Sequence, residues 1–192
     1  DFLFSLAYFL RIGTAGLTAQ AIGARDPREG LLHAARALVL AAIIGVLMIA
    51  LSPLLFWIAE ISLAPQGGVR DALALYFYIR IWGAPLVLIN YVMLGWFYGR
   101  AAATTGMTIQ ILLHGVNIVA CVVFVYVFHW GVAGAGFGTL LGELVATVAG
   151  LALFVRKFGG VRPLLAHIKP GELHEVQALK RLGGLNGDLM IR

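Results

Sequence analysis

Residues 107–128, MTIQILLHGVNIVACVVFVYVF, lead through the corner His129-Trp130-Gly131 into residues 132–155, VAGAGFGTLLGELVATVAGLALFV. Each run is long and apolar enough to cross a bilayer core, which is about 30 Å thick and takes about 20 residues as helix. So tight a corner makes the two helices antiparallel neighbours. Neither run alternates in the manner of a barrel strand, and each is about twice that strand's length. Three more runs of the same kind lie upstream, at 2–22, 37–61 and 73–97, and Leu189-Met190-Ile191 begins another. The fold class that follows is all-α, a polytopic membrane helix bundle. Five spans occupy residues 1–155, a basic linker 156–188, and the start of a further helix 189–192.

Composition agrees. Of 192 residues, 61% are hydrophobic and 12% charged, with a mean hydropathy of +0.93. Soluble domains carry roughly 25% charged and roughly 45–50% apolar residues, so a soluble enzyme, a disordered segment and a nucleic-acid-binding domain are all excluded as readings. The single cysteine, Cys121, supports neither a disulfide framework nor a cysteine-rich metal site. No metal and no cofactor are expected. Nucleophile elbows, phosphate-binding loops and zinc-binding histidine pairs are missing, so the chain reads as no enzyme.

The basic residues are asymmetric. Arg25, Arg28, Arg36, Arg100, Arg156, Lys157, Arg162, Lys169, Lys180 and Arg181 fall in the first, third and fifth connections, against Arg70 alone in the second and fourth. By the positive-inside rule, the loops at 23–36, 99–106 and 156–188 are cytoplasmic. The first span then runs inward, which calls for an earlier helix. A multi-pass protein of the cell's inner (plasma) membrane is expected, with the lipid bilayer as a partner and no nucleic acid. Trp57, Trp82, Trp96 and Trp130 fall near span ends and read as interface anchors.

Polar residues at membrane depth turn toward the bundle interior or a wet cavity. Gln110, His114, Asn117 and Cys121 form one stripe at helical spacing, and Tyr76, Arg80, Gly83 and Asn90 another. Pro85 lies inside the third run and predicts a bend, serving either packing or a hinge. Gly134, Gly138, Gly142, Ala146 and Gly150 make a small-residue ridge every fourth position, a surface for close helix approach. Thr139, Glu143 and Thr147 run beside it. Glu143 is the one carboxylate well inside a span, and Arg11 and Arg80 are the mid-span cations. An ion pair with one of them, or a proton-coupling role, accounts for such a carboxylate.

Several strings carry a family resemblance. Arg11-Ile12-Gly13-Thr14-Ala15-Gly16-Leu17-Thr18-Ala19-Gln20-Ala21-Ile22-Gly23-Ala24 resembles the second-helix signature of the multidrug and toxic compound extrusion (MATE) family. Arg80-Ile81-Trp82-Gly83-Ala84-Pro85 with Asn90-Tyr91-Val92-Met93-Leu94-Gly95-Trp96-Phe97 resembles the fourth helix of its DinF-like branch. Gly131-Val132-Ala133-Gly134-Ala135-Gly136, leading to Thr139 and Glu143, is similar to the sixth, and Leu185-Asn186-Gly187-Asp188-Leu189-Met190-Ile191-Arg192 to the entry of the seventh.

The resemblance implies a partial N-terminal lobe of a twelve-helix transporter, comprising helices two to six and the first residues of seven. The first helix and nearly all of the second lobe are then missing partners, and the piece does not transport alone. The family exports small organic, often cationic, compounds by alternating access against proton or sodium entry. Residue by residue, Tyr76, Asn117 and Thr139 match positions lining the lobe's cavity. Asn90, Cys121 and Glu143 complete the expected substrate and ion cavity, with Arg11 and Arg80 as intramembrane cations and Pro85 as hinge. The family places an aspartate where this chain has Cys121, and its first-helix aspartate lies outside the chain. Both departures shift the coupling role toward that missing aspartate or toward Glu143. Two alternatives are a lipid-linked precursor flippase of the same superfamily, suggested by Arg11 and Arg80, and a non-transporting scaffold or remnant, suggested by Cys121.

Overall fold

A computed structural model describes residues 8–157. Within them every regular element is helical: α1 (Phe9–Gly23), α2 (Pro27–Ala50), α3 (Ser52–Leu63), α4 (Gly68–Arg80), α5 (Ala84–Gly99), α6 (Ala103–Val122) and α7 (Gly131–Lys157). A 3-10 turn, Ile81–Gly83, joins α4 to α5, and a π turn, Val123–Val127, ends α6. Four stretches among the described residues are long and apolar enough to cross a membrane: Arg28–Ala50, Gly68–Gly99, Ala103–Val127 and Gly131–Lys157. Residues 2–7 of the first expected span, the linker from 158 onward and the expected helix start at 189–192 lie outside the described residues.

Local chemistry moves several boundaries away from the apolar runs. The second helix begins at Pro27 rather than Ala37, because Asp26 accepts a hydrogen bond from the Glu29 backbone N–H at 3.0 Å and proline opens the first turn. The expected loop at 23–36 thus shrinks to residues 24–26, and that at 99–106 to residues 100–102. Arg36, expected in a connection, is buried in α2 and donates to Glu29 at 3.2 Å. The expected 37–61 span divides at Leu51, because Pro53 has no N–H to give and its ring crowds the preceding turn.

Helix α5 is the centre of the bundle. Its Leu88, Val92, Met93, Leu94, Trp96 and Phe97 form one core with Leu10 of α1, Leu31 and Ala34 of α2, Ile109 of α6, and Ala146 and Phe154 of α7. Trp96, expected as an interface anchor, is instead a core residue, 1% exposed and edge-on to Phe154 at 4.7 Å between ring centres. Trp57, Trp82 and Trp130 do face outward. Outer faces carry large apolar side chains such as Ile43, Val46, Ile118 and Val148, each more than half exposed. Apolar surface on this scale suits lipid, not water.

Small residues set the helix spacing. A Cβ on Gly95 would stand 2.5 Å from the Arg11 carbonyl oxygen, so α1 rests on α5 backbone to backbone. The α7 ridge does the same against α6: a Cβ on Gly138 would meet Cys121 Sγ at 2.6 Å, and one on Gly142 the Leu113 carbonyl oxygen at 2.7 Å. Further along, Gly150 faces Met93 of α5. Pro85 is packed against α2, where a Cβ on Gly45 would come within 2.6 Å of its Cα.

Substitutions at two glycines test this packing. Gly142→Val should lower the stability of the purified full-length protein by about 1–3 kcal/mol, the usual cost of overpacking. Gly115→Ala, where nothing lies within 4 Å of the added Cβ, should leave stability within about 0.5 kcal/mol of the parent or raise it slightly. Thermal unfolding in detergent compares the two; equal shifts would remove the ridge as the determinant of spacing.

Candidate functional site

The polar stripes converge. Tyr76 and Arg80 from α4, Asn90 from α5, Gln110, His114 and Asn117 from α6, and Thr139 and Glu143 from α7 line one cavity of about 480 Å³. Arg11 of α1 and Tyr8 just before it close one flank. Two other hollows, of about 410 and 610 Å³, have almost wholly apolar walls built from outward-facing side chains such as Trp82, Phe137, Ile111 and Val119. They belong to the lipid-facing surface.

Arg80 and Glu143 meet fork to fork, Nη1 donating to Oε2 at 2.9 Å and Nη2 standing 2.8 Å from Oε1. Both are nearly out of reach of solvent, at 6% and 5% exposure. Of the two mid-span cations, therefore, Arg80 is the partner of Glu143. Room for the pair exists because position 83 has no side chain: a Cβ there would lie 2.5 Å from Glu143 Oε2 and 3.2 Å from Arg80 Nη1. The 3-10 turn at Ile81–Gly83 brings that bare backbone alongside the pair. The Glu143 carbonyl oxygen accepts from Asn90 Nδ2 at 3.2 Å and from the Thr147 hydroxyl at 2.7 Å. That hydroxyl also reaches the Leu86 carbonyl oxygen at 3.2 Å. The pair is thus stitched into α4, α5 and α7 together.

A second polar group is neutral. Asn117 Nδ2 donates to Thr139 Oγ1 at 2.9 Å, and the threonine hydroxyl donates to the Ala135 carbonyl oxygen at 2.9 Å. Cys121 Sγ accepts from Asn117 at 3.6 Å and donates to the same carbonyl at 3.6 Å. Cys121 is wedged against Gly138 in the α6–α7 seam and does not line the cavity. Cys121, expected in the cavity, stands in this seam beside Asn117, which lines the cavity.

Arg11 is half-buried, with its guanidinium carbon 5.1 Å from the Tyr8 ring centre and 4.9 Å from that of Tyr98. Tyr8 and Tyr91 are cavity residues left out of the expected site, although Tyr91 stands eleven positions after Arg80 and Tyr8 three before Arg11, both at helical spacing. Pro85 opens α5 at its second position, just after the 3-10 turn. Among the described residues no group of three His, Cys, Asp or Glu side chains could hold a metal ion.

Comparison with known proteins gives the architecture a family. The sequence model of the MatE family matches residues 1–123. The DNA damage-inducible protein F of Escherichia coli (strain K12) is 33% identical over 195 aligned positions, covering 100% of this chain and 41% of that protein. A multidrug resistance MATE family transporter of the MOP superfamily, solved in an inward-facing conformation, superposes with a TM-score of 0.82 at 28% identity, over 93% of this chain and 40% of that one. A structure of such a transporter in an outward-facing conformation gives 0.79, also at 28% identity, over 92% and 39%. The chain thus spans about two fifths of the length of the relatives it matches. With its model matched over most of the chain and its helix bundle reproduced, the chain belongs to the MATE family.

Proposed function

We propose that this chain is part of a secondary active exporter of small organic compounds, driven by proton or sodium antiport and working by alternating access. The observation that carries the reading is the cavity: side chains from five helices, polar in a bundle that is otherwise apolar, enclose a space within the roughly 300–1,000 Å³ of small-molecule sites. Alternating access in such folds is largely rigid movement of one half against the other. The similar fit to transporters in inward- and outward-facing conformations, TM-scores 0.82 and 0.79, supports a helix bundle that moves as one piece.

In this reading Tyr76, Asn90, Asn117 and Thr139 offer hydrogen bonds to substrate or coupling ion. Glu143 and Arg80 serve as a brace, since each satisfies the other. Pro85 sets a fixed bend, because its ring is locked against α2 at Gly45. The turns at residues 24–26 and 100–102 lie on the cytoplasmic side of the inner membrane, where the arginines concentrate. A lipid-linked precursor flippase is the second reading, favoured by one observation, the guanidinium of Arg11 at the cavity wall.

In vesicles carrying the full-length protein, an imposed proton or sodium gradient should drive movement of fluorescent substrates. Asn117→Ala and Thr139→Ala should each slow it about three- to tenfold, the range expected for one lost hydrogen bond. Movement indifferent to both gradients would refute the antiport reading. The brace has its own test. Glu143→Gln should cost about 3–5 kcal/mol of stability by stranding a buried guanidinium, and Arg80→Met with Glu143→Met together should recover most of it. The pH profile of transport in the double variant should match the parent; a displaced profile would make Glu143 a proton carrier instead.

A further inference from the structure

We propose that the ligand of this cavity is an organic anion whose acidic group is taken by Arg11, a refinement that rests on the cavity reading above. Apart from phenols, the ionisable groups on its wall are Arg11, Arg80, Glu143 and His114. Arg80 and Glu143 cancel one another in a closed fork and present no net charge to a ligand. What remain are Arg11, a permanent cation, and the imidazole of His114. Among the described residues Arg11 has no carboxylate within ion-pair distance and no side-chain hydrogen bond. The rings of Tyr8 and Tyr98 hold its guanidinium by their faces at 5.1 and 4.9 Å. Such contacts favour the cation but use none of its five N–H donors.

A cationic ligand would meet the opposite situation. The carboxylate on the wall is already engaged, and the thiol of Cys121 lies outside the cavity with its sulfur hydrogen-bonded to Asn117 and the Ala135 carbonyl. Among the described residues, the cationic substrates implied by the family resemblance therefore meet no unpaired carboxylate on this wall, whereas a carboxylate or phosphate has a fork-shaped donor waiting. Val87, Leu94 and Leu113 on the same wall provide for an apolar body. The class is an amphipathic acid, whether a free organic acid or the head of an acidic lipid.

The test uses three probes that share one ring system and differ in charge: naphthylacetate, naphthylacetamide and naphthylmethylammonium. Binding to the purified full-length protein in detergent is followed by equilibrium dialysis. The acetate should bind about tenfold or more tightly than the other two, as expected for a charge-assisted bond to arginine. Arg11→Gln should bring all three within about twofold of one another, and Arg11→Lys should keep most of the preference. Equal or tighter binding of the ammonium, no binding by any of the three, or an unchanged preference in Arg11→Gln overturns the proposal. Dodecyl phosphate displacing labelled naphthylacetate more strongly than unlabelled naphthylacetate does would support the lipid source, and the reverse order the free acid. Anion preference without gradient-driven movement would strike the exporter reading and support this one; gradient-driven export of cations without anion preference would do the opposite.

Discussion

A guanidinium and a carboxylate taken out of water have to face each other, and the arrangement of this bundle follows from that demand. Each ion alone would cost several kcal/mol at this depth. Arg80 and Glu143 meet it with two parallel contacts, at 2.9 and 2.8 Å. Because they sit on α4 and α7, far apart in the chain, their pairing dictates where those helices lie. It also explains Gly83, whose missing side chain leaves the space the carboxylate occupies. Asn90 and Thr147 extend the same logic to the backbone, binding the Glu143 carbonyl and tying α7 to α5.

Close packing supplies the remaining order. In lipid there is no hydrophobic drive between helices, so they associate through contact and hydrogen bonding. The glycines of α5 and α7 allow backbone to meet backbone, Gly95 against α1 and Gly138 and Gly142 against α6. Helix α5, with Trp96 and Met93 at the centre of the core, becomes the post around which α1, α2, α6 and α7 stand. A cavity lies beside so dense a core because the polar stripes of α4, α6 and α7 face each other alongside the α6–α7 seam.

Periodic features are legible in the amino-acid sequence. Apolar runs mark the helices, the spacing of Tyr76, Arg80 and Asn90 marks a face, and the ridge from Gly134 to Gly150 marks a seam. Less legible is anything decided by one hydrogen bond or by contact between distant segments. The start of α2 depends on an Asp26 cap that outweighs the weak hydropathy of residues 27–36. The division at Leu51 is signalled by Pro53, but an apolar run conceals it. Trp96 near a span end looks like an anchor until Phe154, from another helix, covers it. Arg11 acquires its setting only when Tyr98 of α5 folds over it. The pairing of Glu143 with Arg80 rather than Arg11 is likewise a three-dimensional choice, since both cations satisfy the sequence equally.

That choice has a chemical consequence reaching beyond stability. Had Glu143 paired with Arg11, the closed pair would sit on the flank with α1, and Arg80 would be left to set the field deep among α4, α5 and α7. With Arg80 engaged instead, the deep wall holds a closed pair, and among the described residues the cavity's cation without a carboxylate partner stands at the edge, over the rings of Tyr8 and Tyr98. A cation in a dense, dry site is costly unless matched, whereas one at a half-buried rim keeps its N–H donors available. The bundle therefore separates two tasks that arginine can perform: one residue holds helices together, and the other is free to meet a ligand.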